Sequence, residues 1–599
     1  MSTDKSRRHG VARQAVLAGL SAALAFGGFA APATMAFAAT AGKTGKVTIN
    51  QISANTGTTY DGYRLVKADV DESDKATLFE WENDATKTAV LNFLDQATTA
   101  TGATKSYSQW LSDNHHTEAV GGVSAHDLPQ NAMEYIAAEI TASHTAAGTS
   151  TTPATKQEDS FADNLAQALK NASPALAVSC VATNGTELTC PQGYYLFTTT
   201  GATIGTDEVG TAPIFMAVGD TAKTVTEKAA IPTLDKKVKE DKSETFGKVA
   251  DANKDQELDF ELTATLPTNY DAFDTYHVRF DDTLPGGMSL KNNNTDSVVV
   301  KVFSGASDTT GVDVTSQLTG NVGGITYTGD VLIVNIADLR ALTGVTVTKD
   351  SVIKVDYKAH IDADGVIGQA GNDNSCTLTY TNDPVAKSDG VTSAKTTKTT
   401  TYQLGLEKVD KQTREALAGA KFTIQVADSG ESDAASVGKY VQADGSLGET
   451  AYEFVTSSDG TFTVPRIDEG TYTVHETTAP TGYEAIEDAV TVTIVATKDQ
   501  STGTVTALSL SVAGGNGPDG MSTPAEGATS VTATQDGVLE SAVTTGAMRF
   551  RVSDDKETYL PGTGLTPSQA GTVAGIILVV VGVGAVVLRQ RKAGEDGAS

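Results

Sequence analysis

Residues 402–410, YQLGLEKVD, open a series of short runs that decides the fold: AKFTIQV (420–426), GTFTVPRI (460–467), GTYTVHET (470–477) and VTVTIVAT (490–497) follow it. Each run is rich in Val, Thr, Ile, Phe or Tyr and alternates apolar with polar residues. A period of two puts successive side chains on opposite faces of a strand, which gives each run one face for a core. β-Branched and aromatic residues suit that pleated, half-buried surface. The segment therefore predicts β-strands packed as a sandwich. A Gly/Pro-rich interruption, AGGNGPDGMSTPAEGA (513–528), reads as loop, and a last strand, AMRFRVSD (547–554), follows it.

The same signal continues upstream. LDFELTATL, TYHVRFDDTL, SVVVKVF, VLIVNIA, SVIKVDYKAHI and CTLTYTN read as strands, with one short helix at ADLRALTG. Two sheets face to face are the economical packing for residues 230–400. DPVAKSDGVTSAKTTKTTT (383–401) has the composition of a linker or a solvated edge strand. Residues 39–229 mix types: VTIN, GYRLVKA, GYYLFTTT and TAPIFMAV read as strands, whereas TAVLNFLDQATTA (88–100), NAMEYIAAEITAS and FADNLAQALKNA read as amphipathic helices. The expectation is a mostly β chain: an N-terminal β or α+β domain carrying helices, then tandem Ig-like sandwiches over 230–400 and 401–559.

The chain has 599 residues, which suggests about three or four domains. Its 44 Lys+Arg against 74 Asp+Glu give a formal charge of −30, which argues against nucleic acid as a partner. Three Cys exclude a disulfide-rich scaffold or a zinc cluster. The eight His show no H-x-x-H or H-E-x-x-H spacing, and no G-x-S-x-G elbow occurs, so no hydrolase site, cofactor or metal is expected and the chain is not read as an enzyme. Cys180 and Cys190 flank VATNGTELT in a predicted hairpin and form a candidate disulfide, while Cys376 has no evident partner. DANKDQELD (251–259) carries alternate oxygen ligands like a calcium loop but lacks Gly at the sixth position and Glu at the twelfth, so it reads as a solvated turn.

Both ends carry signals. A cationic start, an apolar run and A-x-A before Ala39 make residues 1–38 a secretion signal. At the other end LPGTG (560–564) precedes an uncharged span, Gly571 to Leu588, and RQRK (589–592). The span is long enough to cross a bilayer, with the basic tail on the cytoplasmic side. This order resembles the LPxTG cell-wall sorting signal of Gram-positive surface proteins. The resemblance implies that Leu560, Pro561, Thr563 and Gly564 form a sortase site cut between Thr563 and Gly564. It further implies attachment to peptidoglycan at the cell-wall surface, with the span serving as temporary retention.

The third segment, with LGLEKVD, LAGAKF and GTYTVHETTAPTGY, resembles the collagen-adhesin B-type (CnaB) domain of the same surface proteins. Such domains commonly join a first-strand Lys to a last-strand Asn or Asp through an isopeptide bond that a Glu catalyses. By position, Lys408 is the amine, Glu476 the catalyst and Asp554 the acceptor, with Asp555 adjacent; the family's usual Asn is replaced here. The second segment, with IPTLDKKV, FDDTLPGGM and LTYTNDP, resembles the middle domain of backbone pilins. That resemblance implies a bond from Lys236 to Asn382 catalysed by Asp282. Lys237 and Asp281 are the neighbouring alternatives, and strand alternation lets only one of each pair face the core. Lys236 is favoured because it lies four residues after Pro232. Burial in an apolar core disfavours charge on both amine and acid, which makes the amine nucleophilic and keeps the acid protonated.

In shaft pilins a further Lys attacks the sortase-held Thr of the next subunit. No YPK motif occurs; TVTEKAAIPT (224–233) stands in its place and points to Lys228, with Lys223 as runner-up. The expected function is the structural shaft subunit of a covalently polymerised pilus. Its partners would be sortase, other copies of the chain, accessory pilins and peptidoglycan, with a host glycoprotein or matrix ligand as a further one. The alternative is a wall-anchored adhesin that never polymerises.

Overall fold

The computed structural model describes residues 42–557, except 147–160, 227–230, 515–519, 523–536 and a few shorter gaps. The expected signal (1–38) and sorting segment (560–599) lie outside the described residues. Within them the chain is mostly β, and successive thirds of it each build two sheets. No helix of the described residues is long and apolar enough to cross a membrane.

The first third carries the helices. Thr59–Val70 is central to a five-stranded sheet with Ala76–Trp81, Gly193–Thr199, Ile214–Val218 and Cys180–Thr183. Thr44–Asn50 sits between Leu188–Pro191 and Lys223–Thr226 in a smaller one. One apolar core joins Leu65, Tyr194 and Leu196 of the large sheet to Val90, Ile136 and Leu165 of the helices. The helix expected at 88–100 is divided. Asp84–Leu94 is capped by Asn83, whose side chain accepts from the Thr86 N–H. It ends where the apolar Val90, Leu91, Phe93 and Leu94 give way to Asp95 and Gln96, and one turn resumes at Thr98–Thr101. Cys180 and Cys190 are joined by a disulfide with Cα atoms 6.0 Å apart, but not within a hairpin. Their strands pair with Thr59–Val70 and Thr44–Asn50 respectively, so the bridge ties one sheet to the other.

The middle third is the expected sandwich. One sheet runs Thr245–Gly247, Leu234–Glu240, Leu258–Thr265, Val352–Ile361, Val299–Phe303 and Val312–Asp313. The other runs Val249–Asp251, Lys395–Thr400, Asn372–Thr381, Val278–Thr283, Val331–Ile336 and Gly323–Thr328. Phe260, Leu262 and Val355 from the first meet Phe280, Val334 and Leu378 from the second. Two expectations change here. The Thr-rich 383–401 stretch is only in part a solvated edge: Asp389–Val391 pairs with Asn372–Thr381 alone, whereas Lys395–Thr400 is an interior strand, antiparallel to Asn372–Thr381 and parallel to Val249–Asp251. Its inward Thr397 and Thr399 are buried, and β-branching suits Thr to that position despite its polarity. The strand expected from Cys376 starts at Asn372, four residues earlier.

In the last third Tyr402–Asp410 pairs with Thr461–Ile467 on one side and, in parallel, with Ala547–Asp554 on the other, placing Lys408 opposite Val552 and Asp410 opposite Asp554. Lys421–Val426, Gly470–Thr478, Val490–Asp499 and Thr504–Gly514 form the heart of the facing sheet. Thr504–Gly514 and Gly537–Ala542 are strands beyond those expected.

Candidate functional site: buried lysine clusters

The Leu234–Glu240 strand alternates buried and half-buried along its length, which turns Lys236 inward with Leu234, Val238 and Glu240 and leaves Lys237 outward. Val278–Thr283 does the same for Asp282 and Asp281. Lys236 and Asp282 come from opposite sheets and meet between them, both fully buried. Lys236 Nζ donates to Asp282 Oδ1 at 2.7 Å and Oδ2 at 2.6 Å. It also donates to the Tyr357 hydroxyl at 2.9 Å. That hydroxyl donates to Asp282 Oδ2 at 2.6 Å and accepts from Asn374 Nδ2 at 2.7 Å. Phe260 and Tyr357 wall the ammonium, their ring centroids 5.6 and 5.4 Å away.

The residue that completes this cluster is Asn374, not Asn382. Asn382 lies near the far end of the same strand, where its side chain accepts from Ser388 Oγ at 2.8 Å and its carbonyl accepts from the Gly210 N–H of the first third. It shapes a turn at the junction with the N-terminal unit. Asn374 shares the inward face with Cys376, Leu378 and Tyr380 at a period of two. Cys376 lies directly across from Asp282, and burial pushes its thiol well up, as the neighbouring Asp282 charge does further.

In the last third Lys408, Glu476 and Asp554 come together with side chains 0 % exposed. Lys408 Nζ contacts Asp554 Oδ1 and lies 3.1 Å from Glu476 Oε1. Glu476 Oε2 accepts from the Ile486 N–H at 3.0 Å, which orients the carboxyl. Burial pushes Asp554 up to about 7 against the opposing pull of Lys408, and the Glu476 charge adds to the rise. The rise favours the protonated carboxyl, which can lose its oxygen as water. Asp555 points elsewhere, to Lys411 Nζ at 2.8 Å, with 43 % of its side chain exposed.

Lys228, Leu560, Pro561, Thr563 and Gly564 lie outside the described residues. Lys223 is ion-paired with Asp74 and only 20 % exposed.

A third cluster was not anticipated. Lys498, at the end of Val490–Asp499, reaches from the last third into the middle third. Its Nζ lies 2.6 Å from Asp251 Oδ1, 3.0 Å from Glu469 Oε1 and 3.1 Å from Glu240 Oε2, all nearly buried. One carboxylate oxygen of each of the three lies within 4.8 Å of the others, and the Lys498 ammonium contacts all three residues. Desolvation opposes the Lys498 charge, but Asp251, Glu240 and Glu469 outweigh it and raise its pKa. Glu240 is pushed up to about 10, chiefly by burial and then by Asp251. The stretch read as a solvated turn therefore begins inside this junction: Asp251 and Asn253 are buried, and Asn253 Oδ1 accepts from the Asp468 N–H. The available signal was alternation, since Glu240 faces inward on the same period as Lys236.

Against known proteins, residues 402–509 match the SpaA family, described as a prealbumin-like fold domain. Among solved structures, the chain is similar to the T6 backbone pilin of serotype M6 Streptococcus pyogenes (15 % identity, 87 % of this chain and 100 % of that one, TM-score 0.47). It is also similar to SpaD, the major pilin of Corynebacterium diphtheriae (15 %, 74 % and 88 %, TM-score 0.40), and to BcpA, the major pilin subunit of Bacillus cereus (11 %, 86 % and 99 %, TM-score 0.37). No curated protein matches the chain.

Proposed function

We propose that this chain is the shaft subunit of a covalently polymerised, sortase-assembled pilus on a Gram-positive cell wall, stiffened by Lys236–Asn374 and Lys408–Asp554 isopeptide bonds. The observation that carries the reading is the Lys236 cluster: a buried amine, a buried acid and a buried amide converge on one hydroxyl between two sheets. Surface ion pairs contribute at most about 1 kcal/mol and do not account for burying such groups. With Lys236 and Asn374 held on one hydroxyl, and Lys408 held against Asp554, the fold supplies the orientation that a bimolecular amide synthesis lacks, so no separate activation is needed. Asp282 takes the ammonium proton in the middle unit, and Glu476 does so in the last one. Asp554, with its pKa near 7, loses water as the leaving group.

Polymerisation would proceed by sortase cleavage between Thr563 and Gly564 and attack by Lys228 of the next copy. Lys223 is the weaker candidate because Asp74 engages it. Accessory pilins and peptidoglycan are the further partners. Surface extracts test the reading: an SDS-resistant ladder that Lys228→Ala collapses to a single band supports a shaft. A single band from the wild type refutes it and leaves a wall-anchored adhesin.

A further inference from the structure

Tyr357 faces inward from Val352–Ile361, in the same sheet as Lys236, and stacks on Phe260 with centroids 5.1 Å apart and planes 5° from parallel. Phe would fill that space equally well, and an unbonded buried hydroxyl is costly. The hydroxyl is instead fully used. A phenol has one donor and two acceptor positions. Each is taken by a different reacting group: Lys236 Nζ and Asn374 Nδ2 donate to it, and it donates to Asp282. Asn374 is held by the nitrogen that must leave, while its fully buried Oδ1 has no hydrogen-bond partner.

We propose that Tyr357 is a catalytic residue of the Lys236–Asn374 bond, relaying to the leaving nitrogen of Asn374 the proton that Asp282 takes from Lys236. The inference rests on the covalent reading above. The Lys236 ammonium gives one proton to the Asp282 carboxylate, and the free amine attacks Asn374 Cγ, moving the carbonyl electron pair onto Oδ1. Asp282 passes its proton to the Tyr357 oxygen as Tyr357 passes its own to Nδ2. The carbonyl re-forms, the Cγ–Nδ2 bond breaks, and its electron pair leaves with ammonia. The second proton of the attacking nitrogen departs with that ammonia as ammonium. Burial, reinforced by the Asp282 charge, pushes the phenol well up, so it releases a proton only while receiving one.

The test follows the full chain after a pulse of synthesis, measuring the cross-linked Lys236–Asn374 peptide by mass spectrometry at timed intervals. Tyr357→Phe keeps the ring stack and removes only the hydroxyl. Its bond should form about 10²-fold more slowly than the wild type's, the scale of a lost general acid–base contact. Folding is checked by protection of buried Cys376 from alkylation. Site-specific 3-fluorotyrosine at position 357 keeps both shape and hydroxyl but acidifies it. It must change the rate, whereas a purely structural hydroxyl would leave the rate unchanged, and it decides the matter even where Tyr357→Phe does not fold. A bonded wild type with an equally fast Tyr357→Phe or fluorotyrosine variant overturns the role of Tyr357 and leaves the covalent reading standing. A wild type without the cross-link overturns both.

Discussion

Asn374→Ala and Asn382→Ala separate the acceptor that the sandwich core presents from the one that motif position suggests. A bond from Lys236 to Asn374 closes a loop of 138 residues (236 to 374). Loop closure of that length removes roughly 5 kcal/mol of unfolded-state entropy. For a unit of this size each kcal/mol moves the melting temperature by roughly 2–4 °C, so losing the bond should lower the middle unit's transition by roughly 10–20 °C. The substitution itself is mild. The Lys236–Asp282 ion pair stays intact, and Ala leaves one Tyr357 lone pair without its Asn374 donor, a cost of about 1–3 kcal/mol. Intact mass and differential scanning calorimetry on the full chain read both effects. Asn374→Ala should regain the about 17 Da that ammonia loss removes and melt early. Asn382→Ala should keep the bond and lose only the Ser388 contact at its turn. An Asn374→Ala chain that still carries the mass loss, or an Asn382→Ala chain that lacks it, would refute the assignment.

Asp554→Asn should keep the Lys408 bond but change its leaving group, shifting that mass loss from about 18 to about 17 Da; an unbonded variant would count against Asp554 as acceptor. Lys498→Met leaves Glu240, Asp251 and Glu469 buried without their cation, a cost of about 3–5 kcal/mol. Hydrogen exchange should quicken at Val249–Asp251, and unchanged protection would contradict the role of Lys498. Because Glu240 is raised from an ordinary 4.5 to about 10, the folded chain holds a proton there that the unfolded chain releases. Stability from this group should therefore fall as pH climbs from about 4.5 towards 10, while Lys498 stays charged throughout; a melting temperature that rises over that window contradicts the buried-acid account. Replacing Cys180 and Cys190 with Ser should cost about 3 kcal/mol and loosen the two N-terminal sheets against each other, read by chemical denaturation of the first unit.

Period-two alternation carried most of the architecture. It allowed only one of Lys236 and Lys237, and one of Asp281 and Asp282, to face the core; the spacing from Pro232 and the motif resemblance made the choice, and the strands turn Lys236 and Asp282 inward. It failed where local chemistry imitates a turn. GNDNS ahead of Cys376 is the composition of a loop, yet Asn372 and Asn374 are buried strand residues: the Asn372 amide donates to the Thr399 carbonyl of the neighbouring strand, and the Asn374 amide reaches across the sandwich to Tyr357. Motif position then selected Asn382, the more conspicuous amide. The Thr-rich run at 395–400 was misread for a related reason: Thr is polar in composition but β-branched in shape, and in a sheet interior the shape decides. The Lys498 cluster joins residues 240, 251, 469 and 498, a proximity that docking of two units creates and no local window contains.

The parallel pairing of Tyr402–Asp410 with Ala547–Asp554 means that the chain enters the last unit at one end of this strand pair and leaves it at the other. Once Lys408 and Asp554 are joined, the 146-residue separation between them drops out of the extensible contour. At roughly 3.3–3.6 Å per residue, some 500 Å of slack is withheld. A single-molecule pulling trace of the unit should then show almost no lengthening at forces that unravel ordinary sandwiches.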